Sequence, residues 1–266
     1  IECRGDSIVK LDTGKKSISP IGQKETHEFL SALNDFYRTS RFNDFFNTHT
    51  DIYELGLQVF NDSVMAHFDQ EWYTRFYGTP PAEQFRIIIG FTNGPCNYGP
   101  SRKLTGQPKE VFAIMNYAVD DNERPIFYKK VVETVVHEFC HSFTKIKGDT
   151  EKALEKSGKA LQEYTYFSMR RQAYSTWRNI LEESLVRAAT ICYLIDHDYD
   201  EKDIRNAIIE QVDRNFFWMP ELVQTLRYYE SHRKKYPTFT SFYPEIIRFF
   251  DRYVTNMEKE MKKAMK

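Results

Sequence analysis

The chain predicts an α+β fold dominated by helix, with a small N-terminal sheet and an all-helical C-terminal half. Three observations carry this. Two apolar runs, at 85–91 and 111–119, are bounded by turn-forming residues and read as strands. Apolar residues recur at helical spacing through 24–78, and again from about 127 to the end. Between them lie no repeats and no low-complexity linkers, so the 266 residues are expected to form one domain. Within it, a subdomain 1–147 would carry the sheet and a long apolar helix, and 148–266 would be a helical subdomain.

Residues 1–20 are polar, rich in Ser, Lys and Gly, and read as a strand or extended lead-in. Phe29, Leu30, Leu33 and Tyr37, then Ile52, Leu55, Val59, Val64, Phe68 and Phe76, call for two to four helices. Pro80-Pro81 ends that run. The 85–91 run reads as a buried strand, 93–100 as a turn-rich loop, 111–119 as a second strand, and 120–125 as a turn. The apolar helix is expected over about 127–146. Helices then follow at 151–172, 175–196, 201–214, 218–233 and 242–265, with Asp200 placed to cap the third.

Composition narrows the function classes. Thirty-seven basic and 38 acidic residues leave a net charge of −1, which argues against a nucleic-acid partner. No apolar run is long enough for a transmembrane helix. Cys3, Cys96, Cys140 and Cys192 form no CxxC pair, so a cysteine-based zinc knuckle is not expected. The sequence opens on Ile1 rather than Met. A removed signal peptide would place the protein outside the cell, in the periplasm or on the envelope, and a cytoplasmic location stays open.

The chemistry concentrates in His137-Glu138-Phe139-Cys140-His141. Residues four apart on a helix lie about 40° apart in projection, so His137 and His141 share a face. Glu138 stands beside them, within reach of a metal-bound water. Val131, Val132, Val135, Val136, Phe139 and Phe143 surround the motif with apolar side chains, so the helix should be buried and its polar groups should need partners. His27-Glu28 begins the same way but lacks the second His, and reads as ordinary helix surface.

A zinc ion needs a third protein ligand. The best source is the acidic pair Glu182-Glu183, which flanks the apolar stripe Trp177, Ile180, Leu181, Ser184, Leu185 and Ala188. Of the two, Glu183 is favoured; the plainer reading makes it half of a solvated pair with Arg187. Cys96 upstream is a second source, and would make the site similar to a deformylase-type zinc or iron amidohydrolase. His197 and His232 are a third.

HExxH followed by a glutamate on a later helix resembles the gluzincin branch of the zinc metallopeptidases. With Asn97-Tyr98-Gly99-Pro100-Ser101 and Glu183-Ser184-Leu185-Val186-Arg187-Ala188, it is more narrowly similar to a mostly secreted bacterial family of unassigned function. The likeness covers most of 80–250. It implies a zincin-like fold with the metal in a cleft between the halves, Zn2+ on His137, His141 and Glu183, and Glu138 as general base. The likeness brings no known substrate; metal-assisted hydrolysis of a peptide bond, in a peptide or protein substrate, is the expected chemistry. Tyr98, His232, Tyr236 and Tyr243 are the candidates for stabilising an oxyanion, and the 111–119 strand could offer its edge to an extended substrate. The competing class is a non-catalytic zinc-containing binding or surface protein.

Overall fold

The computed structural model describes residues 2–4, 7–9, 22–94 and 96–265, and it is α+β with helix predominating. Its residues cluster into two compact units. The first comprises 1–68 and 82–132, the second 69–81 and 133–266.

In the first unit, strands β1 (Glu2–Arg4) and β2 (Ser7–Val9) pair antiparallel, within the segment read as strand or lead-in. The Asn34 side chain ties β2 to helix α1 (Gln23–Thr39): its Oδ1 accepts from Ile8 N at 2.7 Å, and its Nδ2 donates to Ile8 O at 2.8 Å. Helices α2 (Phe42–Thr48) and α3 (Thr50–Ser63) follow. Tyr37 is buried while Phe29, on the same α1, is half exposed. His27 and Glu28 are exposed, as expected of plain helix surface. Gly56 lets α3 approach Phe91, whose ring lies 2.4 Å from where a Cβ would sit.

The sheet has order β3-β5-β4, with β3 Gln84–Ile89, β4 Ser101–Lys103 and β5 Lys109–Met115. β5 runs parallel to β3 and antiparallel to β4. Buried Glu110 on β5 accepts from Arg86 on one side at 3.1 Å and Arg102 on the other at 2.5 Å, joining the three strands. The sequence expectations change in three places. β3 is an edge strand with alternating exposure, not a buried one, and Ile88 faces out. The second strand stops at Met115, because the Asn116 N–H turns to Asn97 Oδ1 at 2.8 Å. Ala118–Val119 form a separate strand, β6, paired with β7 (Pro125–Ile126). Third, β5 is the central strand, and Tyr98 bridges to Ile114 beyond β4. Its edges are therefore taken, and strand addition by a substrate to β5 is ruled out.

The second unit begins with α4 (Trp72–Tyr77), whose four aromatics are all buried. Trp72 stacks on Phe76, and Tyr77 stacks on Phe143 with ring centroids 4.2 Å apart. Those contacts explain why 69–81 belongs here rather than with the helices before it. Gly78 (φ 73°) ends α4, and a Cβ there would strike Pro237 O at 2.2 Å. The HExxH helix α5 (Lys130–Cys140) straddles the division, and its motif residues fall in the second unit. Contacts thus draw the boundary within α5, earlier than the expected 147.

The remaining helices are α6 (Gly148–Tyr164), α7 (Tyr166–Arg171), α8 (Trp177–Asp196), α9 (Glu201–Asp213), α10 (Met219–Ser231) and α11 (Phe239–Ala264). α8 is buried around most of its circumference. Gly158 lets α6 approach it, since a Cβ there would meet Trp177 at 2.5 Å. Asp200 sits at the N-cap of α9 but makes no side-chain capping bond. α11 starts three residues earlier than expected, fixed by a reciprocal Thr238–Ser241 capping box. None of the described helices is long and apolar enough to cross a membrane.

Asp196 and Glu230 meet at the half-buried foot of Arg227. Asp196 accepts from the Trp72 indole at 2.8 Å and from Arg227, which also holds Glu230 at 2.6 Å. Burial, then the neighbouring Asp196, push the Glu230 carboxyl up to about 8, while the Asp196 carboxyl is held low. A raised carboxyl favours the fold in its protonated form. That contribution is complete below the ordinary value of 4.5 and is lost as pH rises to about 8. Glu230→Gln is therefore expected to stabilise the protein at pH 9 by about 1–2 kcal/mol, a figure discounted for Arg227 and residual solvent. At pH 5 it should change little. Urea denaturation at the two pH values checks this, and equal effects at both would contradict it.

Candidate metal centre

α5 buries Val132, Val135, Val136, Phe139 and Cys140, leaving His137 and Glu138 half-buried on its remaining face. The Tyr73 hydroxyl donates to Val136 O at 3.2 Å and helps seat the helix. The helix is shorter than expected. It closes at Cys140 with i→i−3 bonds, Ser142 N to Phe139 O and Phe143 N to Cys140 O, so His141 stands in the tightened turn just beyond it. The His137 and His141 rings remain neighbours, with centroids 5.1 Å apart and planes at 83°.

The adjacent glutamates of α8 point to different partners, because successive helical residues are rotated by about 100°. Glu182 accepts from Ile146 N at 2.9 Å and from Lys145 Nζ at 3.1 Å, anchoring the chain that follows His141. Glu183 faces the histidines: its Oε1 lies 3.3 Å from His137 Nε2, and its Oε2 3.6 Å from His141 Nε2. One ligand atom from each of His137, His141 and Glu183 falls within 4.8 Å of the others.

These spacings suit a small divalent metal. Zinc bonds to nitrogen and oxygen are about 2.0–2.1 Å, and a tetrahedron with such arms has an edge of roughly 3.3 Å. The protonation states suit it too. Burial and the neighbouring His137 pull His141 down to about 4, which keeps its imidazole neutral. Burial acts to raise the Glu183 carboxyl, but the hydrogen bond and charge of His137, then Arg187 and His141, hold it below the usual carboxylate range. Glu138 is raised by burial, the direction that makes a carboxylate a better proton acceptor. Cys140, between the histidines in sequence, is pushed up to about 12 by burial and stays a thiol.

Two further residues hold Glu183: Tyr174, which nothing in the sequence marked, and Arg187, expected only as a solvated partner. The Tyr174 hydroxyl donates to Glu183 Oε1 at 2.9 Å and accepts from Arg187 Nη2 at 3.0 Å. Arg187 Nη2 also lies 2.8 Å from Glu183 Oε1, and both side chains of that pair are buried. The solvated Glu183–Arg187 pair of the plainer reading is thus a desolvated one. Tyr174 carried no signal, since it sits in the loop between α7 and α8.

The other expected residues lie outside the cluster. His232 caps α10, bonded to Tyr228 O at 2.9 Å and stacked on the Tyr228 ring. Tyr236 is buried and donates to Glu245. Tyr243 is buried, and its hydroxyl has no hydrogen-bond partner among the described residues. His197 is the C-cap residue of α8, half-buried, with its ring between Tyr193 O and Asp69. Tyr98 and Cys96 belong to the first unit, and both are exposed.

The class defined by fold and site is an α+β protein in which His137, His141 and Glu183 form a cluster that could hold a metal ion. Residues 7–249 match the profile of a domain of unknown function (DUF4932), and the chain belongs to that family. No curated protein and no solved structure matches it.

Proposed function

We propose that this protein is a zinc-dependent peptide hydrolase of zincin-like fold, with His137, His141 and Glu183 as metal ligands and Glu138 as general base. The supporting observation is the convergence of two imidazoles and one carboxylate, His137, His141 and Glu183, with Glu138 next to His137 in the chain. A bound Zn2+ would supply Lewis acidity for the scissile carbonyl and acidify a water. Glu138 accepts the proton of the attacking water and returns it to the leaving amine. Glu182 fixes the segment after His141, and Tyr174 with Arg187 holds Glu183. Of the candidate oxyanion donors, His232 and Tyr236 are engaged in bonds of their own, and Tyr98 is exposed.

One observation favours a second reading. Arg187 and Tyr174 already satisfy Glu183, so the cluster is also compatible with a metal-free buried polar network in a binding protein. Incubating purified protein with a mixed peptide library, with and without Zn2+ and a chelator, separates the two. Cleavage that a chelator stops and zinc restores is the expected result. Zinc uptake without cleavage would support a non-catalytic metal protein, and no zinc uptake would support the network.

A further inference from the structure

Beyond the ligand set, we infer that Tyr174 and Arg187 are positioning residues that dedicate the two oxygens of Glu183 to different tasks: Oε1 to the protein and Oε2 to the metal. This rests on the metal-site reading above. A carboxylate oxygen has two lone-pair directions in its plane. Oε1 accepts from the Tyr174 hydroxyl at 2.9 Å and is ion-paired with Arg187 Nη2 at 2.8 Å, while His137 Nε2 lies 3.3 Å from the same oxygen. Oε2, near His141, receives neither donor. Tyr174 and Arg187 are also bonded to each other, so the three side chains close a ring that resists rotation of the Glu183 carboxylate.

The ring is braced from outside. Arg187 Nη1 donates to Gln211 Oε1, and Gln211 is itself oriented by its Nε2 bond to Ala207 O at 3.2 Å. The buried Phe216 ring packs under the Arg187 guanidinium at 5.0 Å and meets Tyr174 edge-on at 6.0 Å. Tyr174 is delivered by the turn that ends α7. There Ala173 takes a left-handed conformation (φ 67°), and Tyr174 N bonds back to Met169 O at 2.9 Å. Holding a non-glycine residue in that region is unfavourable, and a buried ion pair is seldom a net gain in stability. Both expenditures are intelligible if the arrangement orients a ligand.

The test is zinc affinity, measured by chelator competition on folded protein, with the visible spectrum of the Co2+-loaded protein as a second readout. Tyr174→Phe removes one hydroxyl and is expected to weaken Zn2+ binding about 10-fold. Arg187→Lys keeps the charge but loses the fork, and should weaken it about 10–100-fold. In both, a carboxylate free to bind through two oxygens should raise the coordination number and weaken the Co2+ absorption. If Tyr174→Phe leaves affinity and spectrum unchanged, the assignment fails. Tighter binding in Arg187→Lys would also overturn it, showing that Arg187 competes with the metal for Glu183. If the unmodified protein takes up no zinc, the metal-site reading itself falls.

Discussion

Glu138→Gln is expected to lower peptide hydrolysis by about 10²–10⁴-fold while leaving zinc stoichiometry at the level of the unmodified protein. The amide has nearly the same shape as the carboxylate, so the packing of α5 around Val135, Val136 and Phe139 is undisturbed. It cannot accept a proton from water. Glu138 lies outside the three-residue ligand cluster, so the metal should be retained. Burial raises the Glu138 carboxyl, and an amide at the same place removes an ionisable group that the site only half solvates. Steady-state cleavage measured beside metal content checks the prediction. Undiminished hydrolysis in a fully loaded variant would falsify the role of Glu138.

The second large effect separates two adjacent residues. Glu183→Ala is expected to abolish stoichiometric zinc binding and also to destabilise the fold by about 3–5 kcal/mol, because it strands Arg187 as a buried, unpaired cation. Glu182→Ala frees the buried Ile146 N–H and releases Lys145, for about 1–3 kcal/mol. It leaves the three ligands in place. Zinc content and urea midpoints of the two variants should therefore differ in kind: metal and stability lost together in one, stability alone in the other. If Glu182→Ala loses the metal and Glu183→Ala keeps it, the ligand assignment is off by one residue.

What could be read in advance follows the range of the interactions. His137, Glu138 and His141 were legible because helical geometry relates residues four apart without help from the rest of the chain. Glu183 was legible only as one of a pair: both glutamates flank the apolar stripe, and the rotation of α8 against α5 decides which meets the histidines. Arg187 was visible as the fourth residue beyond Glu183, but its burial was not, since pairs at this spacing are common on solvated surfaces. Tyr174 meets Glu183 through the turn after α7, and a loop tyrosine has no periodicity to mark it. The sheet failed in the same way. β4 is a three-residue polar strand with no alternation to reveal it, so the central place of β5 could not be foreseen.

The sequence by itself determined the α+β class, the helical C-terminal half, the neighbouring pair His137 and His141 and the shortlist for its third partner. Each is a matter of spacing along one element. Tertiary structure alone decided that Glu183 rather than Glu182 joins the histidines, that Tyr174 and Arg187 hold it, and that the aromatic helix α4 packs with the HExxH residues. Those outcomes depend on how buried helices rotate and pack against one another, and side-chain volumes distant in the chain set that rotation.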